Sequence, residues 1–469
     1  MKGILRGHWP FLIVLVSGLV LRVLTMAAYY PAFWFQGDSG AYLKASGHLA
    51  PGNGPNTLGY PLFLAIFRPF GSLALVSAVQ HLLGLGLAVL IYVFLRRRGL
   101  PGWMAVLGAT PTLLDGHQIT LEHYLLGEAL FTALLTASII VLLWNDRPTW
   151  LMCAGAGALL TAAVLTRTVG LGICALVLVY LVIRRAGLKQ VLAFGLTVLV
   201  LMLGYLSWSK AANGHFALST AQGRYLYART AIVADCSKLE LTDEQRPLCP
   251  REPLDQRPER PDWYLWVSPV LKDYGPERDD IPGGFAKAVI TQQPLDYAGS
   301  VLSDLGKYLL PGQQNYGPSM NCLSSWWLMP SDLRDTVAKE DRCKPLLADG
   351  SGFASEPSAS QVEPSALREF LAWYSRHVQT PHTALGIAVL LGLAALVFRV
   401  RRGRWRDGLD AGLLVGTGLA LMVVAVATSM YEPRYGVPSI TLMAVGAMLA
   451  VHRLRGASAP AQSPELEKV

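Results

Sequence analysis

Long apolar runs alternate with short polar connections through most of this chain. The first run, 11–29, is followed by a polar stretch, 30–71, rich in Gly, Pro and aromatic residues and interrupted by an apolar patch at 62–67. That stretch reads as an outer loop with one or two short helices lying in the membrane interface. Further runs occupy 72–95, 100–114, 124–144, 149–166, 169–183 and 190–208, and three more follow at 383–398, 411–429 and 437–451. The run at 100–114 is short: at ~1.5 Å per residue it reaches roughly 24 Å, less than the ~30 Å hydrocarbon core. The pattern predicts an all-α polytopic membrane protein with about ten transmembrane helices. A long insertion, 210–382, separates the seventh run from the eighth. Its aromatics (Trp263, Tyr264, Trp266, Trp326, Trp327) and cysteines predict a small folded extramembrane domain, with a mobile Ser/Ala/Pro-rich loop near 350–365. The expected organisation is an N-terminal membrane module (1–209), an extracytoplasmic loop domain (210–382), a C-terminal membrane module (383–455) and a disordered polar tail (456–469).

Composition agrees with that pattern. The chain is 52% hydrophobic and 15% charged, with a mean hydropathy of +0.37, whereas a soluble globule carries about 25% charged residues. Lys2 and Arg6 precede the first run and Ala27-Ala28 resembles a cleavage site, but the run exceeds the ~7–15 residues of a signal-peptide core, so it reads as a retained span. The net charge of +8 does not indicate nucleic acid, because the basic residues sit between the apolar runs, as a topology signal does. With ten spans both termini share a side. The loops on that side hold Arg96–Arg98, Arg147, Arg184, Arg185, Lys189 and the basic residues from Arg399 to Arg406. The short loops opposite hold only Lys44, Arg68, Arg167 and Arg434. The positive-inside rule therefore places the termini in the cytoplasm. Asp38, Glu122, His123, Glu128, Arg167 and Glu432-Pro-Arg434-Tyr435 then all fall on the outer face.

Of the six cysteines, Cys153 and Cys174 lie in apolar runs and read as packing residues. Cys236, Cys249, Cys322 and Cys343 lie in the insertion; outside the cytosol they predict two disulfides, with three connectivities open. Proximity favours Cys236–Cys249 and Cys322–Cys343. A zinc site is disfavoured because no CxxC pair occurs.

Several polar residues stand where the membrane makes them costly. Asp38, in Gly37-Asp38-Ser39-Gly40-Ala41-Tyr42, follows the first run directly; a carboxylate at the edge of hydrocarbon has either a task or a role in capping the next helix. Glu122-His123 and Glu128 open the fourth run, where acids also complement a helix dipole. Glu128 lies deeper in the apolar run and is the stronger functional candidate. Arg167, in the hairpin between the fifth and sixth runs, either reaches to lipid headgroups or faces a phosphate, whose oxygens match its fork. Arg434 invites the same readings, with Glu432 as a structural partner. Arg224 and Arg229 form a third basic element near the outer surface. His377 and His382 are five apart in a loop, a weak metal signal. No Walker A, GxGxxG after a strand, or GxSxG occurs.

Taken together, Asp38-Ser-Gly-Ala-Tyr42, Gly59-Tyr60-Pro61, Gln80-His-Leu-Leu-Gly84, Glu128, Arg167 with Gly170, and Glu432-Pro-Arg434-Tyr435 resemble the C-type (GT-C) glycosyltransferases. The similarity is to the branch of protein mannosyltransferases and bacterial enzymes that add sugars to lipid A or cell-envelope acceptors. It covers about 1–210 and 383–455; the insertion matches no such pattern. The resemblance implies a GT-C-like membrane fold, a polyprenyl-phosphate-sugar donor, inversion at the sugar carbon and a site at the outer leaflet. It implies Asp38 as general base, with Glu128 and Glu122 as the further catalytic acids. Arg167, Arg434, Arg224 and Arg229 would bind the donor phosphate, and Tyr42, Tyr60, His123 and Glu432 would bind substrate. Two departures stand out: Ser39 occupies a position where many relatives have a second acid, and Glu122-His123 adds an acidic position. The resemblance requires no cofactor and leaves a divalent metal open. The expected partners are the lipid-linked sugar, membrane lipid and an acceptor that is a protein, a glycan or a secreted metabolite. Two other classes compete: a transporter or flippase of a lipid-linked substrate, disfavoured because no inverted repeat appears and the acids gather at one face, and a receptor whose outer domain binds a glycan through its tryptophans.

Overall fold

The computed structural model describes residues 2–35, 37–51, 54–311, 329, 365–401 and 405–455. These residues are overwhelmingly helical, and the one β feature among them is an isolated parallel bridge between Phe33 and Tyr124. Among the described residues, six helices are long and apolar enough to cross a membrane: Gly7–Ala28, Leu73–Arg97, Leu188–Asn213, the apolar part of Ala366–Phe398, Gly408–Thr428 and Pro433–Leu454. Four shorter apolar helices, Gly102–Leu114, Glu128–Leu143, Trp150–Thr166 and Thr168–Ile183, complete the set. Each of the ten predicted runs falls on one of these helices. Their outer faces leave large aliphatic side chains uncovered, among them Val16 and Val23, Leu196 and Val200, and Leu390 and Leu393. An apolar belt of that extent belongs against lipid.

In chain order, α1 (Lys2–Ala28) leads through the bridge segment to α2 (Asp38–Gly47) and α3 (Gly59–Phe67), the two short helices predicted for the first loop. Then come α4 (Leu73–Arg97), α5 (Gly102–Leu114), α6 (Gly116–His123), α7 (Glu128–Leu143), α8 (Trp150–Thr166), α9 (Leu171–Ile183) and α10 (Leu188–Asn213). The sequence predicts one continuous helix over 124–144, with Glu122 and His123 just before it. Instead, Asp115 caps α6 through the N–H groups of His117 and Gln118, and the chain breaks at 124–127 before α7 begins. The break is held from outside: Phe33 N–H donates to the His123 carbonyl at 2.9 Å, and Leu125 N–H donates to the Phe33 carbonyl at 3.0 Å.

The insertion begins with α11 (Gln222–Ala231), α12 (Asp262–Trp266), α13 (Asp280–Gln292) and α14 (Pro294–Leu309). The first three close around their own core of Tyr227, Leu248, Tyr264, Phe285 and Val289. Cys236 and Cys249 form the disulfide expected from proximity; the second expected pair, Cys322–Cys343, lies outside the described residues. Cys153 and Cys174 are free and buried. After α15 (Ala366–His377) come α16 (His382–Arg401), α17 (Trp405–Thr428) and α18 (Pro433–Leu454).

Two buried ionic clusters tie the bundle. At the end remote from α2, Asp410 of α17 pairs with both Arg98, after α4, and Arg184, after α9. It also accepts from the Tyr180 hydroxyl at 2.9 Å. At the other end, Arg22 of α1 grips Glu122 with two hydrogen bonds of 2.7 and 2.9 Å. Gly84 of α4 is what admits that carboxylate, because a Cβ there would stand inside it.

Candidate functional site

Asp38 is the first residue of α2, and the turn into the helix uses Gly37 at φ +87°, a backbone region glycine enters without steric cost. Its carboxylate does not cap the helix: Oδ2 accepts from Arg434 Nη1 at 3.0 Å. Ser39 is fully buried; its hydroxyl accepts from Phe35 N–H at 2.8 Å and donates to the Leu125 carbonyl at 2.9 Å. Ser39 thus fastens the first loop to the α6–α7 break.

That break delivers Glu128, the first residue of α7. Its carboxylate is buried, accepts from Arg167 at the end of α8, and lies 3.6 Å from Arg434 Nη1. Asp38, Glu128, Arg167 and Arg434 thus form one cluster with a formal charge of zero, drawn from four separate elements. Tyr435 underlies both cations, its ring centroid 4.9 Å from the Arg167 guanidinium carbon and 5.0 Å from that of Arg434. The Phe35 ring sits 4.5 Å from Arg434 on another side. For Arg167, burial is the largest influence and works against the charge, but Glu128, Tyr435 and Tyr42 together carry the net shift upward, so the guanidinium stays protonated.

The cluster heads a cavity of about 500 Å³. Asp38, Tyr42, Arg167, Arg434, Tyr435 and Tyr225 line its polar part; Phe131, Leu171, Leu421, Val424 and Ala425 line an apolar part against α7, α9 and α17. Burial, and then the negative charge of Asp38, push the Tyr42 hydroxyl well up, so it is a neutral donor. Burial does the same for Tyr225. Two guanidinium groups beside aliphatic helix faces match the chemistry of an amphiphile with an anionic head.

The other predicted site residues are placed differently. Tyr60 stands behind Tyr42, the rings edge-on at 5.0 Å, and its hydroxyl donates to Gln80 Oε1 at 2.8 Å. Glu122 and His123 do not reach the cavity. Glu122 is wholly enclosed, bound to Arg22, Gln118 and His81, and His123 bonds to His81 and the Tyr29 carbonyl. Arg229 is buried against Asp304, with Nη1 to Oδ2 at 2.6 Å. Arg224 lies on the same helix as Tyr225, but only Tyr225 lines the cavity. Glu432 accepts from Arg260 at 2.9 Å, so the loop domain supplies the partner sought for it in Arg434. Tyr225 and Tyr435 are the residues that sequence reasoning missed. Both sit beside arginines in stretches singled out for their charge, and neither tyrosine carried a signal of its own.

No group of three metal-ligating side chains occurs among the described residues. Asp38 and Glu128, the acids of the cluster, are each already bound to arginine. The described donor set does not fit a divalent cation, and among the described residues His377 bonds only to the Trp373 carbonyl of its own helix, at 2.8 Å.

No family model matches the chain, and no curated protein matches it. Among solved structures it is similar to the archaeal oligosaccharyltransferase AglB from Archaeoglobus fulgidus, in complex with an inhibitory peptide and a dolichol-phosphate (12% identity, TM-score 0.41, 96% of this chain and 52% of that chain). It is similar also to ArnT from Cupriavidus metallidurans bound to undecaprenyl phosphate (12% identity, TM-score 0.38, 95% of this chain and 78% of that chain). The apo form of the Archaeoglobus fulgidus oligosaccharyltransferase matches at 13% identity and a TM-score of 0.39, over 94% of this chain and 50% of that one. The chain thus spans about half the length of the oligosaccharyltransferase.

Proposed function

We propose that this chain is an integral membrane glycosyltransferase of the C type, moving a sugar from a polyprenyl-phosphate donor to an acceptor outside the cytoplasm. The observation that carries the reading is the union of Asp38, Glu128, Arg167 and Arg434 at the head of a cavity whose far wall is aliphatic. The motif resemblance supports the same reading. A lipid phosphate would place its head at the arginines and its chain along α9 and α17. The basic residues crowd the connections at the opposite helix ends, which favours cytoplasmic termini and an outward-facing cavity.

In the reaction, the acceptor hydroxyl oxygen forms a bond to the anomeric carbon. The bond from that carbon to the phosphate oxygen breaks on the opposite face, giving inversion. Asp38 takes the hydroxyl proton, and the departing lipid phosphate takes the electron pair. Arg167 and Arg434 face the charge that grows on that phosphate, inside a cleft where fixed charges act strongly. Before donor binds, Arg434 covers the Asp38 carboxylate. A phosphate competes for that guanidinium, so donor binding would uncover the base when it is needed. Glu128 anchors Arg167 and limits how far Arg434 can move. The sugar would be a hexose or pentose, mannose being the commonest inference from the resemblance.

The test is transfer from radiolabelled polyprenyl-phosphate-mannose, and then from other lipid-linked sugars, in membranes carrying the native chain or Asp38→Asn. General base catalysis contributes typically about 10²–10⁴-fold, so the variant should lose that much turnover while folding normally. Label that stays on every lipid donor with the native chain would sink the transferase reading and favour the transporter. Full activity in Asp38→Asn would remove Asp38 as the base.

A further inference from the structure

Three contacts in the buried cluster behind the cavity fix how many protons it holds. His123 Nε2 lies 2.7 Å from the Tyr29 carbonyl oxygen, His123 Nδ1 lies 3.2 Å from His81 Nε2, and His81 Nδ1 lies 3.0 Å from Glu122 Oε2. A carbonyl only accepts, so His123 Nε2 carries a hydrogen. Glu122 accepts from Arg22 through both carboxylate oxygens and from Gln118 Nε2 at 2.9 Å. A carboxylate so served is ionised, and His81 Nδ1 must donate to it. The remaining contact joins two ring nitrogens and needs one hydrogen between them. Three ring hydrogens are one more than two neutral imidazoles hold.

Burial acting on His123 by itself, with the neighbouring His81 charge, pushes that ring down to about 3. Two neutral rings, however, would set lone pair against lone pair at one of the three contacts. At His81 burial, and to a lesser degree Arg22, also oppose a charge, while Glu122 in direct contact favours it; what decides for the charge is the geometry, because an unmet contact among buried polar groups is costly. We propose that His81 and His123 share one excess proton, and that this protonated strut is what holds the two carboxylate-bearing segments together.

The strut connects directly to both segments. The His123 carbonyl accepts from Phe33, and five residues beyond Phe33 the chain reaches Asp38. Five residues beyond His123 it reaches Glu128. Gln80, one residue before His81, donates to the Glu122 and Tyr124 carbonyls at 2.9 and 2.8 Å and accepts from Tyr60, the ring behind Tyr42. The charged groups around the pair are Arg22 from α1 and Glu122 from α6. Arg368 from α15 lies farther out, donating to the Ala28 carbonyl at 2.9 Å with its guanidinium 5.9 Å from the Tyr29 ring centroid. Loss of the shared proton would turn one hydrogen bond into a repulsion and loosen the register between Asp38 and Glu128. His81 and His123 are therefore positioning residues. That role rests on the transfer reaction proposed above; the proton count does not.

The experiment uses the full chain, labelled with ¹⁵N-histidine, in lipid nanodiscs, with long-range ¹H–¹⁵N spectra between pH 6 and 9. An ordinary histidine titrates near ~6.5. The expected result is a coupled pair of rings that stays charged to at least about pH 7.5, roughly a tenfold lower proton activity. His81→Asn should abolish that signal, with His123→Asn as the second assignment variant. If neither folds, the pair is still identified in the native chain, as the histidines titrating above all others. Two neutral rings at pH 7 would overturn the proposal. Turnover on the lipid-linked donor is then followed across the same range. A fall of about tenfold in kcat, coincident with the ring transition and at constant donor KM, is expected. A kcat indifferent to that transition would overturn the positioning role. A chain with no transfer activity at all would leave the spectra to decide the proton count.

Discussion

Arg167→Met removes one charge from the cavity head while keeping most of the apolar stem. In the native cluster two carboxylates and two guanidinium groups sum to zero; in the variant the sum is −1. A hydrogen bond to a charged partner contributes about 1.5–3 kcal/mol, and each ~1.4 kcal/mol is a factor of ten. Affinity for undecaprenyl phosphate in detergent should therefore fall about 10–100-fold. The same change affects stability, because Glu128 is 2% exposed and keeps only Arg434, at 3.6 Å. Breaking a buried pair costs about 3–5 kcal/mol. Arg167 is 22% exposed and a second cation remains, so roughly 2 kcal/mol is the discounted figure. The double variant Arg167→Met/Glu128→Gln separates the two effects. It restores a neutral sum and should recover the melting temperature, but not the affinity. Native-like lipid-phosphate binding by the single variant, or recovered binding by the double variant, would refute a phosphate-binding Arg167.

Three further outcomes follow from the packing. Asp410→Asn leaves Arg184 and Arg98 facing each other, with Arg98 keeping the exposed Asp146 at 2.9 Å, and should lower stability by roughly 3 kcal/mol; thermal melts in detergent measure it, with lipid-phosphate affinity unchanged because the cluster is at the far end of the helices. Replacing Cys236 and Cys249 together by serine opens a cross-link with a sequence separation of 13; loop-closure entropy puts the loss near ~3 kcal/mol, read as faster proteolysis within the loop domain under oxidising conditions. Tyr60→Phe leaves the buried Gln80 oxygen without its donor and should cost about 1–3 kcal/mol, again visible as a lower melting temperature.

The fold and much of the site could be read from the chain because a membrane exaggerates two signals. Apolar runs long enough to span are rare by chance, and a charge beside such a run is expensive enough to stand out. Asp38, Glu128, Arg167 and Arg434 all announced themselves in that way. What the sequence could not supply was their pairing, since Asp38 and Arg434 are 396 residues apart. Depth in the apolar run favoured Glu128 over Glu122, but the chain did not show why the two part company. Helical spacing over 121–128 presumes a continuous helix, and the break at 124–127 is held by Phe33 and Ser39 from the first loop. Arg22 was visible as one charge inside an apolar run, but average hydropathy hid it, although it is what makes Glu122 structural. The basic stretch from Arg224 to Arg229 drew attention by its charge; rotation of α11 turns Tyr225 to the cavity and Arg229 to Asp304.

The Asp410 cluster also bears on the two helices that flank the apolar part of the cavity. It ties the end of α9 to the start of α17. The other ends of these helices meet at the cavity, where Gly172 presents no side chain to Val424. The two antiparallel helices are thus tied by charge at one tip, while at the other Val424 rests against the bare Gly172. Aliphatic contact separates at little cost in a bilayer, because lipid tails replace what the helices lose. For the lipid-linked donor proposed above, the seam between α9 and α17 would then be the edge along which the hydrocarbon chain lies, with the Asp410 pairs holding the far tips of the two helices together.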